Sequence, residues 1–302
     1  MICFKFTSVR LDTLMWLAAL LFGGGLLFWV GWGSGRRGLR LGGGALLVVP
    51  FAAMIGSGSV DPVILPALAG VITLAWALKT NRCPTRVCQA AAGLGYLLSV
   101  LALGFRQFPG LTPFPLLEVD GGSVLFSPEK LVLLGIVPPL VLAPLSPDRW
   151  QWGIERPGRT FALLLPATLL VLIPLALLLN HAQPGWPNAS ISMLGYGLIY
   201  DFLFVCVLEE SFFRGIVQTV LIRWARHWRG SQADGWALLG ASLLFGGVHA
   251  GGGLTFVLLA TLAGFGYGLI DYLTGRIHYT VLLHFAVNTV HQLAFAALPT
   301  TA

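Results

Sequence analysis

The chain has 302 residues, of which 56% are hydrophobic and only 10% charged, with 38 glycines and a net charge of +6. A soluble domain carries about 25% charged residues, so this composition excludes an ordinary soluble enzyme and, at a mean hydropathy of +0.82, indicates a polytopic membrane protein. The positive charge lies in short loops with no basic patch interleaved with aromatics, and so it does not point to a nucleic-acid partner.

Apolar stretches long enough to cross a hydrocarbon core of roughly 30 Å recur along the whole chain. They predict spans near 12–33, 41–56, 62–78, 88–105, 130–146, 160–180, 192–222, 236–250, 254–273 and 279–298. The second is short and the seventh long, so the predicted fold class is an all-α transmembrane bundle of eight to ten spans. The first 24 residues have a weakly basic start but no clear small-residue cleavage site, and the first span is therefore expected to be retained. Loops bearing Arg36, Arg37 and Arg40, then Lys79, Arg82 and Arg86, then Arg149, Arg156 and Arg159, then Arg223, Arg226 and Arg229, and finally Arg276 alternate with segments 57–61, 181–191 and 250–253 that carry no Lys or Arg. This alternation assigns the basic loops to the cytoplasmic side; Lys5 and Arg10 run against it at the N-terminus.

Four scattered cysteines provide no disulfide framework, and Cys83, Cys88 and Cys206 are read with the fourth as structural. Between the fourth and fifth spans, residues 107–129 (QFPGLTPFPLLEVDGGSVLFSPE) are Pro-rich and predict a small hairpin closed by a DG turn, on the outer face.

Ionisable groups inside spans are costly and mark function. They concentrate in the last third: Asp201, Glu209, Glu210 and Arg214 in one span, His249 in the next, Asp271 in the one after, and His284 and His291 in the last, where the uncharged Asn288 stands beside them. Glu210 and Arg214 stand at i and i+4 with the acid N-terminal, the favourable order for an ion pair. Glu209 points about 100° away and is left free. His284 and Asn288 also share one face at i and i+4, and His249 ends the glycine-flanked run SLLFGGVHAGGG. Depths counted at about 1.5 Å per residue bring Glu209, His249 and His284 to one level. A carboxylate beside imidazoles in a poorly solvated cavity suits proton transfer, while an amide and a second imidazole suit stabilisation of an oxyanion. This is a hydrolase constellation without a nucleophilic Ser or Cys.

EE-x3-R in LEESFFRG, F-x3-H from Phe245 to His249 and H-x3-N from His284 to Asn288, in that order, resemble the three motifs of the CPBP (CAAX protease and bacteriocin-processing, or Abi) intramembrane endopeptidases. The resemblance covers roughly residues 195–295. It implies a membrane endopeptidase in which Glu209 activates water with His249, His284 and Asn288 hold the oxyanion, Glu210 and Arg214 support, and Phe245 packs. It divides the chain into residues 1–190, spans of unassigned role, and 191–302, the protease core. The implied partners are a membrane-associated protein or peptide substrate and the lipid bilayer, and the implied location is a bacterial-type inner membrane. The family has been described both as glutamic and as metal-dependent. No HExxH is present, no cofactor is expected, and Glu with two His would make at most a zinc set that is not established.

Other readings use the same residues. Asp201 in Tyr200-Asp201 resembles half of a paired-aspartate protease, but no GxGD sequence supplies the other half. A rhomboid-like serine would have to come from GSGS at 56–59, a loop. His291 lies two turns from His284, where it can face the same cavity, and His278 falls in a turn; neither is assigned a catalytic role. A proton- or ion-coupled transporter, or a noncatalytic membrane scaffold, is the alternative from another class, although the polar residues sit in one half of the chain with no repeat.

Overall fold

The computed structural model describes residues 16, 19–20, 23–25, 27, 36–56, 58, 60–79, 85–119, 122–142, 156–185 and 191–296. Most of the predicted first span, the basic residues Lys5, Arg10, Arg82 and Arg149, and the Asp120-Gly121 turn lie outside the described residues. The chain divides into two compact units, Met1–Leu145 and Ser146–Ala302.

The first unit holds α1 (Arg37–Gly56), α2 (Leu65–Lys79), α3 (Arg86–Gly104), the strands β1 (Phe114–Val119) and β2 (Gly122–Phe126), and α4 (Glu129–Leu142). Helix α1 starts four residues before the predicted span and takes Arg37 and Arg40 into its first turn. Thr85 caps α3 by accepting from the Cys88 N–H at 3.1 Å. The predicted hairpin is present: β1 and β2 pair antiparallel from Phe114↔Phe126 to Val119↔Gly122, with an irregularity between Pro115 and Leu117. Arg106, in the left-handed region at φ 57, turns the chain out of α3. Its guanidinium bonds the buried Glu129 at 2.8 Å and also Ser127, tying the end of α3 to the start of α4.

The second unit holds α5 (Pro157–Leu178), β3 (Gln183–Pro184), α6 (Ile191–Asp201), α7 (Leu208–Phe212), α8 (Thr219–Arg229), α9 (Asp234–Gly247), α10 (Gly253–Thr274), α11 (Ile277–Ala294) and β4 (Phe295–Ala296). The long predicted span 192–222 is not one regular α-helix. Two π-helical turns, Phe202–Val207 and Phe213–Gln218, flank the five residues of α7. Pro157 starts α5, and Pro166 and Pro174 lie within it, as membrane helices tolerate. Gly275, at φ 63, closes α10 by donating its N–H to the Asp271 carbonyl at 2.7 Å. The ribbon β3–β4 joins the loop after α5 to the end of α11, reinforced by a 3.1 Å bond from Gly185 N–H to the Ala294 carbonyl.

Among the described residues, four helical runs are long and apolar enough to cross a membrane: Arg37–Gly56, Val87–Gly104, Pro157–Leu178 and Ala250–Thr274. The chain is an all-α polytopic membrane protein, as its composition predicts.

Small residues set the packing of α9 on α10, where hydrophobic driving force between helices is weak and close approach has to replace it. A Cβ on Gly246 would lie 1.9 Å from Thr261 Oγ1 and 2.7 Å from the Val257 carbonyl oxygen. That oxygen is main chain and cannot swing aside. Gly246→Ala should therefore cost about 1–3 kcal/mol, the usual range for overpacking. On the same helix, Gly240→Ala would meet only Leu221 at 3.8 Å. Thermal unfolding in detergent should show a clear drop for the first variant and little change for the second; equal melting temperatures would contradict the close α9–α10 approach.

Candidate active site

A cavity of about 490 Å³ opens within the second unit. Its walls are mainly apolar, from Leu172 and Ile173 on α5, Leu259 and Ala263 on α10, and Val287 and Val290 on α11. Into it face all five of the residues Glu209, His249, His284, Asn288 and Phe245. The depth count from sequence thus brings together the side chains it was meant to bring together.

Glu209 and Glu210 part company on α7. Glu209 is 31% exposed and borders the cavity; Glu210 is fully buried. The Glu209 carboxylate lies 3.9 Å from His249 Nε2. That is too long for a direct hydrogen bond. The His249 ring is oriented from its other side, because Nδ1 sits 2.7 Å from the Phe245 carbonyl oxygen. A carbonyl only accepts, so Nδ1 carries the proton and Nε2 is the nitrogen presented to Glu209. The carbonyl is free to serve because α9 tightens as it ends: the His249 N–H bonds Gly246 at 3.0 Å, one residue short of the α-helical partner.

Glu210 is the centre of a buried network. Its carboxylate lies 3.1 Å from Arg214 Nη1 and accepts from His284 Nδ1 at 2.8 Å. The predicted i, i+4 pair is therefore present, and it has a third member that spacing along one helix could not supply. With Nδ1 committed to Glu210, Nε2 is the His284 nitrogen available to the cavity. The ring is stacked on Tyr267 at 4.5 Å between centroids.

Arg214 reaches further. Nη2 donates to the Gly264 carbonyl at 2.7 Å, and the guanidinium carbon lies 4.5 Å from the centroid of Phe245. One turn on, Gln218 Nε2 donates to the Gly268 carbonyl at 3.0 Å and approaches Asp271 at 3.4 Å. Arg214 and Gln218 thus form two rungs onto Gly264 and Gly268, both pairs spaced by four residues. A Cβ on Gly268 would lie 2.5 Å from Gln218 Oε1, so a side chain there would have to push that amide aside.

Phe245 packs more widely than its motif position implies. Its ring meets Phe213 at 5.0 Å, His249 at 4.8 Å and His284 at 5.9 Å. It holds both imidazoles of the site against the Arg214 network.

Asn288 has a partner that the sequence reading set aside. Its amide donates to Asp201 Oδ1 at 2.9 Å. Asp201, read there as an incomplete aspartyl-protease motif, belongs to this site, as do Gln218 and Tyr267. His291 also lines the cavity, stacked on Phe295, and His181 lines it from the loop after α5, stacked on Phe256. His278 stands exposed in the first turn of α11, against Tyr279. Among the described residues no group of three His, Cys, Asp or Glu side chains is disposed to hold a metal ion.

Residues 191–290 match the family model for type II CAAX prenyl endopeptidase Rce1-like proteins. The match covers a third of the chain, which is similar to these proteins over that length. The matched segment contains Glu209, Glu210, Arg214, Phe245, His249, His284 and Asn288 together, and it agrees with the resemblance carried by the three sequence motifs. No curated protein and no solved structure matches the chain. The family description names an endopeptidase. The cavity bordered by Glu209 and His249 lies within the Rce1-like segment except for its α5 wall, its His181 side and the last residues of α11 with Phe295.

Proposed function

We propose that the chain is an intramembrane endopeptidase and that the cavity between α7, α9 and α11 is its active site. The observation that carries this reading is the 3.9 Å gap between Glu209 and His249 Nε2, a span that one water bridges, in a cavity that His284 and Asn288 also line. Glu209 takes a proton from the bridging water as its oxygen attacks the scissile carbonyl carbon. The carbonyl π bond opens and the charge moves to oxygen, where a donor from the Asn288 amide and His284 Nε2–H, in its imidazolium form, stabilise it. Collapse of the tetrahedral intermediate expels the amine, which receives the proton held between Glu209 and His249. His249 keeps the water oriented and Glu210 keeps His284 oriented. The substrate is a membrane-associated protein or peptide; a farnesylated peptide ending in Cys-aliphatic-aliphatic-X is the first to try, because the family description names prenyl CAAX endopeptidases.

Glu209, His249 and His284, the donors a zinc ion would need, are not gathered into a three-ligand cluster, although the Nδ1 bonds of both imidazoles are of the kind that also orients metal-ligating histidines. We therefore route no step through a metal. Cleavage of the farnesylated peptide in proteoliposomes should be unchanged after incubation with 1,10-phenanthroline and dialysis. Loss of activity restored by added zinc would replace the metal-free mechanism by a metal-dependent one.

The test of the reading itself compares new peptide termini in membranes carrying wild type or Glu209→Gln. Termini present only with wild type support it; identical sets of termini contradict it.

A further inference from the structure

Asp201 is 6% exposed, at the last residue of α6 beside the first π-helical turn. A carboxylate in such surroundings is costly and persists where it has a task. Its Oδ1 accepts from Asn288 Nδ2 at 2.9 Å across 87 positions of sequence, and its Oδ2 has the Cys206 thiol at 3.5 Å. A thiol is a weak donor, so the bond to Asn288 dominates.

We propose that Asp201 is a positioning residue that fixes the orientation of the Asn288 amide toward the reacting carbonyl. The proposal rests on the reading of Asn288 as an oxyanion donor. A primary amide has an oxygen face and an NH2 face of nearly equal shape, and a rotation of 180° exchanges them. With the oxygen turned to the substrate, Asn288 would repel the developing negative charge. The Asp201 carboxylate accepts the amide N–H and meets an oxygen with repulsion, so it holds the NH2 group on its own side. One hydrogen is used on Asp201, and the other contact of the nitrogen is a weak one to Cys206 Sγ at 3.9 Å, which a substrate oxygen would displace. The charge on Asp201 also polarises the amide through the shared nitrogen, which strengthens the second N–H as a donor. Asp201→Asn removes this selectivity with almost no change of volume, because an amide partner pairs with either face.

The experiment measures kcat and KM on a quenched, farnesylated peptide ending in Cys-aliphatic-aliphatic-X, in proteoliposomes. It compares wild type, Asp201→Asn, Asn288→Ala and the double variant, with thermal unfolding measured beside each. Asp201→Asn should lower kcat about 10- to 100-fold, the effect usual for a residue that orients a reacting group, with KM and the melting temperature close to wild type. The double variant should lose no more than Asn288→Ala alone, because Asp201 acts only through that amide. Should Asp201→Asn not fold, Asp201→Ser enters the same cycle. A wild-type kcat in the position-201 variant, or losses that multiply in the double variant, would overturn the proposal. The two readings fail differently: an inactive Asn288→Ala with a fully active Asp201→Asn removes only the positioning role. A fully active Asn288→Ala removes the oxyanion reading and this proposal with it.

Discussion

Glu209→Gln should abolish cleavage, with kcat lowered by about 10²–10⁴-fold, the range that a positioned general base supplies. Glutamine has the size of glutamate and can still hold a water by hydrogen bonds, but it cannot take the proton that the attacking oxygen must lose. At 31% exposure the side chain borders the cavity and is not part of the packed interior. The variant should therefore fold, insert and unfold at a temperature close to that of wild type. Activity on the farnesylated peptide and the unfolding temperature, measured on the same preparation, separate the two effects. A fully active Glu209→Gln protein would end the mechanism.

Glu210→Ala should fail differently, losing stability together with activity. The carboxylate is fully buried and stands between a guanidinium that is 1% exposed and the ring of His284. Removing it leaves the Arg214 charge buried without its acid, which costs about 3–5 kcal/mol when one partner of a buried pair is deleted. It also removes the acceptor that fixes His284 Nδ1. Thermal unfolding should show a large drop, and Arg214→Ala should show a comparable one because it strips the same pair from the other end. If Glu210→Ala melted like wild type, the Arg214–Glu210–His284 network would not be holding α7 to α11. The contrast between adjacent glutamates, one lost only in activity and the other in both, is the signature of their opposite faces.

Much of this site was legible in the sequence because it obeys helical arithmetic. The 100° between Glu209 and Glu210 sends one to the cavity and the other inward, the i, i+4 spacing makes the Glu210–Arg214 pair, and the depth count brings His249 and His284 to Glu209. Asp201 was not legible because the arithmetic fails there. Nine residues at about 100° each put Asp201 and Glu210 on opposite sides of a regular α-helix. A π-helical turn advances only about 80° per residue, since its bonds run from i to i+5. Six such residues, Phe202–Val207, take back roughly a third of a turn. Asp201 thereby comes round toward the side of Glu210 and reaches Asn288. Nothing in FLFVCV announces a π-helix. Gln218 was passed over for a different reason: an uncharged amide carries no signal in a list of ionisable residues, although it repeats the Arg214 bond one turn later. The hairpin was legible from alternation and its DG dipeptide, and β1 and β2 pair antiparallel on either side of that dipeptide, with an irregularity between Pro115 and Leu117.

The bond from His249 to the Phe245 carbonyl has a genetic consequence. The group that fixes which nitrogen of His249 carries the proton is main chain, so it is present whatever side chain stands at position 245. A saturation scan of Phe245 would report on the ring that packs against Arg214, His249 and His284, and would leave the tautomer untouched. The bond depends instead on how the helix ends between Gly246 and His249, where the main chain closes one residue early. Changes in chain length across Gly246–Val248, which substitution libraries do not contain, are the ones to which the chemistry of His249 is exposed.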